Sequence, residues 1–401
     1  MIDQLMVKEI YARAQRKFFV QNLAMALANK ESGDALKVQG GRKYHKPIIG
    51  FAQMQAYTPL TPTTSSQNVT TVNEELEIDR ATHAESVHIN IDDTERAQLR
   101  DQDLVSRYGE DLGMAMKDSI EKRWVSAISG IQTIGSVASP VDFSGANILD
   151  VVEDGLGLVD AADVGSNVQR VILMGPRSYR AVEKATANRE TQLGDQTYLG
   201  GYPARRLMDA MLVRSNNLPW SATLTLSAAN PVAGDNVTIA GVRFNFVAAV
   251  GTVPGNVLIG ANATATAENL LNAVIGGAGA GTTYVAPDAM QRMYLRRNRR
   301  IVGTNTAGVI AFTGFGDIGV ASSLTNAGNG WGAQVSRMFF TAVGATDLAI
   351  QLDAELEMSR PKPMTGEAHF TRLSGVVLHN SRTFTDGRYM TVTTFVDASQ
   401  F

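Results

Sequence analysis

The chain has no cysteine. Disulfides, thiolate metal sites and a cysteine nucleophile are therefore excluded. Histidine is almost as scarce, with only His45, His83, His88, His369 and His379. No H-x-x-x-H or H-E-x-x-H spacing occurs. His83 and His88 stand five apart in an alternating segment, which puts them on opposite faces of a strand, so no metal site is expected. Long apolar runs are missing too. None approaches the roughly 20 residues that span a bilayer, so no membrane partner is expected. The opening stretch MIDQLMVKEIYARAQRKFFV mixes charges into its apolar residues and has no signal-peptide core, so the default setting is a reducing cytoplasm. Nor is there an excess of one charge. Lys and Arg number 36, Asp and Glu 39, and the net charge is −3. Non-specific DNA binding draws its affinity from neutralised phosphates, so any DNA contact must be local and weak.

Catalytic motifs are also lacking. Neither G-x-x-x-x-G-K-[ST] nor G-x-S-x-G is present. The glycine-rich IGGAGAGTTY lacks G-x-G-x-x-G spacing and follows a helix instead of a strand, so its glycines read as a helix stop. Asp92, Asp93 and Glu95 are better explained as helix-start residues than as an acid–base group. No catalytic residue, cofactor or enzyme activity is expected.

What is present is an ordinary apolar content of 44% with 19% charged residues, enough for a large folded core. Residues 4–30 read as an amphipathic helix with Leu5, Ile10, Phe18, Leu23 and Leu27 on its stripe. Ser32 to Gly50 is polar and basic, with Arg42, Lys43 and Lys46, and reads as an extended arm. Residues 53–91 read as a long β-excursion whose tip, TPLTPTTSSQNVTTV, is rich in Thr, Ser and Pro. Its return strand, HAESVHINI, places Val87, Ile89 and Ile91 on one side. A hairpin with so little core needs a partner surface. Then comes a long helix capped by Asp92, Asp93 or Thr94. Leu104, Tyr108, Leu112, Met116, Ile120, Trp124 and Ile128 recur along it every four residues. Gly109 and Gly113 interrupt it, each at a cost of about 1 kcal/mol against alanine. They are hinge candidates.

Residues 147–218 alternate helix and strand. NILDVVEDGLGLVDAA and RSYRAVEKAT read as helices, VQRVILMGP and MLVRSNNLP as strands, and GDQTYLGG as a turn. At Trp220 composition shifts, and to about Gln334 Gly, Ala, Thr and Asn dominate. Within that stretch DNVTIAGVRFNFVAAVG reads as a hairpin turning at Ala240-Gly241. TATAENLLNAVIGG reads as a helix capped by Thr264 or Thr266. Afterwards the earlier pattern resumes: FFTAVGATDLAIQLDAE as a helix, then strands HFTRLSGVVLHN and YMTVTTFV. The densest positive charge is MYLRRNRRIVG, with Arg296, Arg297, Arg299 and Arg300. It reads as a β-turn or strand end with arginines on both faces, able to pair a neighbour's carboxylates.

This order of parts resembles the major capsid protein of tailed bacteriophages, the Hong Kong 97 fold, an α+β architecture. The resemblance implies an N-terminal arm (1–52), an E-loop hairpin (53–91), a P domain with the spine helix (92–140 and 352–401) and an A domain (141–219 and 335–351). FFTAVGATDLAIQ resembles an A-domain helix. Residues 220–334 form an inserted domain: ATLTLSAANPVAGDNVTIAGVRF, RKYHKP and INIDDTERAQLRDQDL are similar to coat proteins of short-tailed phages that carry one. The resemblance implies a structural subunit that self-assembles into pentamers and hexamers of an icosahedral head around double-stranded DNA. Assembly would take place in the host bacterial cytoplasm, with a separate scaffolding protein and a portal protein as partners; a decoration protein is left open. Inter-subunit contact candidates are Arg296, Arg297, Arg299 and Arg300 in the insertion, and Glu74, Glu75 and Arg80 on the hairpin. No lysine lies between Tyr57 and Glu85, so the lysine cross-links of some family members are not expected. Rival readings are an encapsulin-like compartment shell, an α/β enzyme and a nucleic-acid binder.

Overall fold

The computed structural model describes residues 23–39, 41–49, 71–92, 102–145, 147–162, 168–187, 206–227, 229–359 and 370–400. Their contacts form two compact units. One is Met1–Ile128 with Val343–Tyr389, the other Ser129–Ala342 with Met390–Phe401.

The first unit holds α1 (Leu23–Leu27), α2 (Glu31–Gln39), β1 (Lys43–Ile49), β2 (Thr71–Glu77), α3 (Arg80–His83), β3 (Ala84–Asp92) and α4 (Gln102–Ala127). The second holds β4 (Gln132–Ile134), α5 (Asn147–Asp160), β5 (Arg170–Met174), α6 (Pro176–Ala187), β6 (Arg206–Leu207), β7 (Ala210–Arg214), β8 (Pro219–Thr225), β9 (Asn236–Ile239), β10 (Val242–Val247), β11 (Asn256–Leu258), α7 (Ala263–Ile275), α8 (Ala289–Met293), β12 (Val302–Thr306), β13 (Val309–Phe315), β14 (Val320–Ser323) and β15 (Gly330–Ala342). The chain then returns to the first unit with β16 (Asp347–Ser359), β17 (Phe370–Arg382) and α9 (Thr385–Tyr389), and ends in the second with β18 (Val392–Asp397).

In the first unit β16, β17 and β3 form an antiparallel sheet, and α4 packs on β17 and β3. The four-residue stripe of the sequence is the packed face: Leu112, Met116, Ile120 and Trp124 are all buried. Gly375 makes room for them, since a Cβ there would lie 2.8 Å from Leu112 Cδ2. Beside this sheet, β1 and β2 pair antiparallel as a separate ribbon. Leu36 of α2, Leu76, Ile78, Ala349, Leu378 and Phe384 close a small core under it.

The second unit is built on one large sheet in the order β12-β13-β8-β15-β5-β7-β6, with β18 on the other edge of β15 and β4 beside β18. α5 and α6 touch each other and cover β18, β15 and β7. α5 turns Ile148, Val152, Leu156 and Val159 inward, the 3.6 spacing of a one-faced helix, and they join Ile172, Met174, Phe340 and Val392. Residues of 220–331 build a second core around Phe244, Phe246, Leu270, Leu271 and Phe312. It lies between α7, the extension of the large sheet and a smaller sheet of order β11-β10-β9-β14.

Several expectations hold. The Ala240-Gly241 turn joins β9 to β10 with both residues at positive φ, as a two-residue hairpin turn requires. Gly276, in the left-handed region, stops α7. The strands before and after α6 are β5 and β7.

Five expectations are overturned. HAESVHINI is a strand, β3, but not the return strand of a hairpin: it pairs β17, and the ribbon is formed by β1 with β2. FFTAVGATDLAIQLDAE is not a helix but the end of β15, a turn with Gly344 at positive φ, and the start of β16. Met338 of the first strand is buried, as are Phe339, Phe340, Leu348, Ala349 and Ile350. A strand buried on both faces is a continuous apolar run, which periodicity does not separate from a buried helix. The arm expected to be extended from Ser32 contains α2. The Asn29 side chain accepts from the Glu31 N–H at its start, and Glu31 and Asp34 occupy the first turn where the helix dipole favours them. Asn262, not Thr264 or Thr266, caps α7 by accepting from the Ala265 N–H. Lastly, MYLRRNRRIVG is not a strand end but a helical segment, treated below. Residues 1–22, most of the first expected helix, lie outside the described residues. So do residues 53–70 of the hairpin, which include all of its tip but Thr71 and Val72, the turn at 194–201 and Asp93 and Thr94.

Candidate assembly surfaces

The hairpin base is held by charge and by its own chain. The register sets Lys43 opposite Glu77 and His45 opposite Glu75. Lys43 Nζ lies 2.6 Å from Glu75 and 3.4 Å from Glu77. The hydrogen bond from Lys43 holds the Glu75 carboxyl below the usual range. Such an exposed pair contributes little to stability but fixes register. Glu74 turns the other way. Its carboxylate accepts from the Thr385 N–H at 2.9 Å and from the Thr385 hydroxyl, at the start of α9. Burial pushes Glu74 up, but those two bonds, with Arg382 and Arg388 nearby, leave it below its ordinary value. The Arg382 guanidinium donates to the Glu75 carbonyl, and Lys46 pairs Asp386 at 2.7 Å. Two of the three hairpin candidates, Glu74 and Glu75, therefore fasten the ribbon to its own chain. Arg80 is exposed at the start of α3. Among the described residues neither outer edge of the β1–β2 ribbon is paired, and Val72 at its far end is 57% exposed.

The arginine segment starts in α8, which opens with a capping box between Asp288 and Gln291, and continues as a single π turn, Tyr294–Asn298. A helical path places residues three apart on one side, and Arg296 and Arg299 both turn inward. Arg296 donates to the carbonyls of Val274 and Ala273 at 3.3 and 3.4 Å, the open C-terminal end of α7, where the helix dipole favours a cation. Arg299 donates to the Tyr294 hydroxyl at 2.8 Å and to the Phe315 carbonyl at 3.4 Å, and lies over the Tyr294 ring. Arg300 is half-buried with φ 44. Arg297 is exposed. In the same stretch of chain Met290, 72% exposed, Met293 and Val302 also face solvent. The expected two-faced strand is thus replaced by a helical turn with two arginines serving its own unit. Reversing Arg299 would disturb the monomer as well as any contact.

A residue that sequence reasoning missed is Asp317. It follows β13 and accepts from the Arg177 N–H at 2.9 Å, at the start of α6. Burial pushes its carboxyl up, against the backbone hydrogen bond and charge of Arg177 and the charge of Arg299. Its one sequence signal is a carboxylate framed by glycines in GFGDIG, at a point where the chain turns tightly. The hinge candidates Gly109 and Gly113 both lie inside α4, which runs through them unbroken; Gly113 is buried.

No family model and no curated protein matches the chain in sequence. Solved structures do match. A chain of Mycobacterium phage Che8 superimposes with a TM-score of 0.51 at 12% identity, covering 95% of this chain and 93% of that one. A chain of Mycobacterium phage Ogopogo gives 0.48 at 8% identity over 93% and 91%. The capsid of cyanophage P-SCSP1u gives 0.47 at 12% over 89% and 84%. With its mixed sheets, long helix on a three-stranded sheet and separate two-stranded ribbon, the chain has the Hong Kong 97-like fold of tailed-phage capsid proteins.

Proposed function

We propose that this chain is a major capsid protein, a structural and non-catalytic subunit that self-assembles into pentamers and hexamers of an icosahedral head around phage DNA. The observation that carries this reading is the capsid fold shared over nearly the whole chain. The β1–β2 ribbon supports it: among the described residues no third strand pairs it, exposed strand edges are normally covered, and a neighbouring copy would cover them. In this reading 53–91 is the E-loop, 92–140 with 352–401 the P domain, 141–219 with 335–351 the A domain, and 220–334 an inserted domain reaching neighbouring capsomers. Arg297 is the exposed arginine contact that remains once Arg296 and Arg299 are assigned to their own unit. Arg80 is its counterpart on the hairpin. A near-neutral shell suits DNA packaging, since strong binding to the inner wall would impede a moving genome. A scaffolding protein and a portal complete assembly in the bacterial cytoplasm.

The test is electron microscopy of the expressed chain with and without its scaffolding protein. Closed shells or tubular polyheads are expected. A dispersed monomer under every condition would overturn the reading.

A further inference from the structure

Charge in the α5–α6 layer is sorted by helix. Every ionisable residue of α5 is acidic, and Asp150, Glu153, Asp154 and Asp160 all lie on its exposed side. Asp160 pairs Arg170 at 2.6 Å. Asp150, Glu153 and Asp154 have no partner among the described residues. α6 is the reverse. It exposes Arg177, Arg180 and Lys184, spaced three and four apart on one face, and its only acid, Glu183, is taken by Arg180 at 2.7 Å. Lys184 has no partner among the described residues. The helices touch, yet among the described residues no ion pair joins the α5 acids to Arg180 or Lys184. The sheet beneath places them apart: α5 lies over β15 and β18 toward the β4 edge, and α6 lies by β7 toward the β6 edge. One flank of the layer is therefore acidic and the other basic.

We infer that these flanks are the two halves of one head-to-tail contact between copies of this chain, the α6 face of one copy meeting the α5 face of the next. Several arguments select a second copy as the occupant. The two charges are complementary and sit on one rigid layer, so a single rotation repeated around a ring satisfies both faces of every copy. A partner of one sign would match only one face. A two-fold contact would set α5 against α5 or α6 against α6, juxtaposing like charges. Both helices rest on the same packed core, so the faces need no rearrangement to meet. The inference rests on the shell-subunit reading and names the surfaces that close each ring.

The absence of cysteine makes the test direct. Glu153→Cys and Lys184→Cys are made in separate chains, assembled singly and as an equal mixture, and oxidised. A disulfide-linked dimer is expected in particles from the mixture and not from either variant alone. A cross-link formed as strongly by one variant alone means that like faces meet and overturns the inference. Normal particles with no cross-link overturn it too, while leaving the shell reading intact. Wild-type chain that never associates overturns both. Charge reversal gives a second readout that needs no cysteine. Asp150→Lys with Glu153→Lys and Asp154→Lys, or Arg180→Glu with Lys184→Glu, should each lower particle yield at least tenfold, and combining the two sets should restore it. Circular dichroism of the unassembled chain confirms folding in each case. Unchanged yield, or no recovery in the combination, counts against the pairing.

Discussion

Gly155 and Gly157 stand two residues apart in α5 and meet different surroundings. A Cβ at Gly155 would lie 2.4 Å from the Phe340 ring, whereas at Gly157 nothing lies within 4 Å. Alanine gains about 1 kcal/mol of helix propensity at either site. At Gly155 that gain is exceeded by overpacking, which costs about 1–3 kcal/mol when a ring in a dense core must move. Gly155→Ala is thus expected to destabilise the chain and Gly157→Ala to stabilise it by about 0.5–1 kcal/mol. Thermal melts of the two unassembled variants check the opposite signs; a gain at Gly155 would show that Phe340 is not held in place. In sequence the two glycines are indistinguishable members of EDGLGLVD. The arginines teach the same lesson. Four adjacent cations look equivalent, but Arg296 and Arg299 find carbonyls at Ala273, Val274 and Phe315 that lie far away in sequence.

At the scale of elements, β16 begins on a buried carboxylate. Asp347 accepts from the Asn29 side chain at 3.3 Å. Burial pushes its pKa from 3.8 to about 6, against the charge of Lys46 and the hydrogen bond from Asn29, with Asp386 adding to the rise. A raised folded-state pKa means that the folded chain holds the proton more tightly than the unfolded one. The stability this residue contributes is fully present below about pH 4 and is lost as pH rises through about 6. Asp347→Asn keeps the shape and the acceptor for Asn29 but removes the titration. Relative to wild type the variant should gain stability between pH 4 and pH 7, by on the order of 2 kcal/mol at the upper end. Melts across that range test it, and a constant difference would show that Asp347 stays ionised throughout. Elements with a clear period were legible without coordinates: α4, α5, α6, β3 and the β9–β10 hairpin. The β15–β16 connection was not. Its residues are apolar on both sides, and a pattern with no polar face carries no period to read.

For the whole molecule, under the proposed capsid role, the long helix α4 is where a change of shell state would be felt. Leu112 and Met116 seat it against Gly375, and Gly109 and Gly113 lie in the same stretch. If the helix bends during expansion of a procapsid, replacing both glycines by alanine adds about 2 kcal/mol of helix propensity against bending. Gly109→Ala with Gly113→Ala is then expected to give particles that assemble but expand slowly or incompletely. Particle diameters by electron microscopy before and after a heat or acid trigger provide the measurement. Expansion at the wild-type rate would remove the hinge role from these two residues.

The sequence by itself determined the long helix, the β9–β10 hairpin and the compositional break at Trp220, because each of these is a local pattern or a count. The tertiary structure decided the rest. It decided that the segment after the break adds its strands to the large sheet while building a core of its own, that Glu74 and Glu75 hold their own chain, and that Asp317 meets α6. It also sorted the acidic and basic helix faces to opposite flanks of one layer. Such outcomes depend on which distant residues share a surface, and a single chain's sequence does not encode that in any local period.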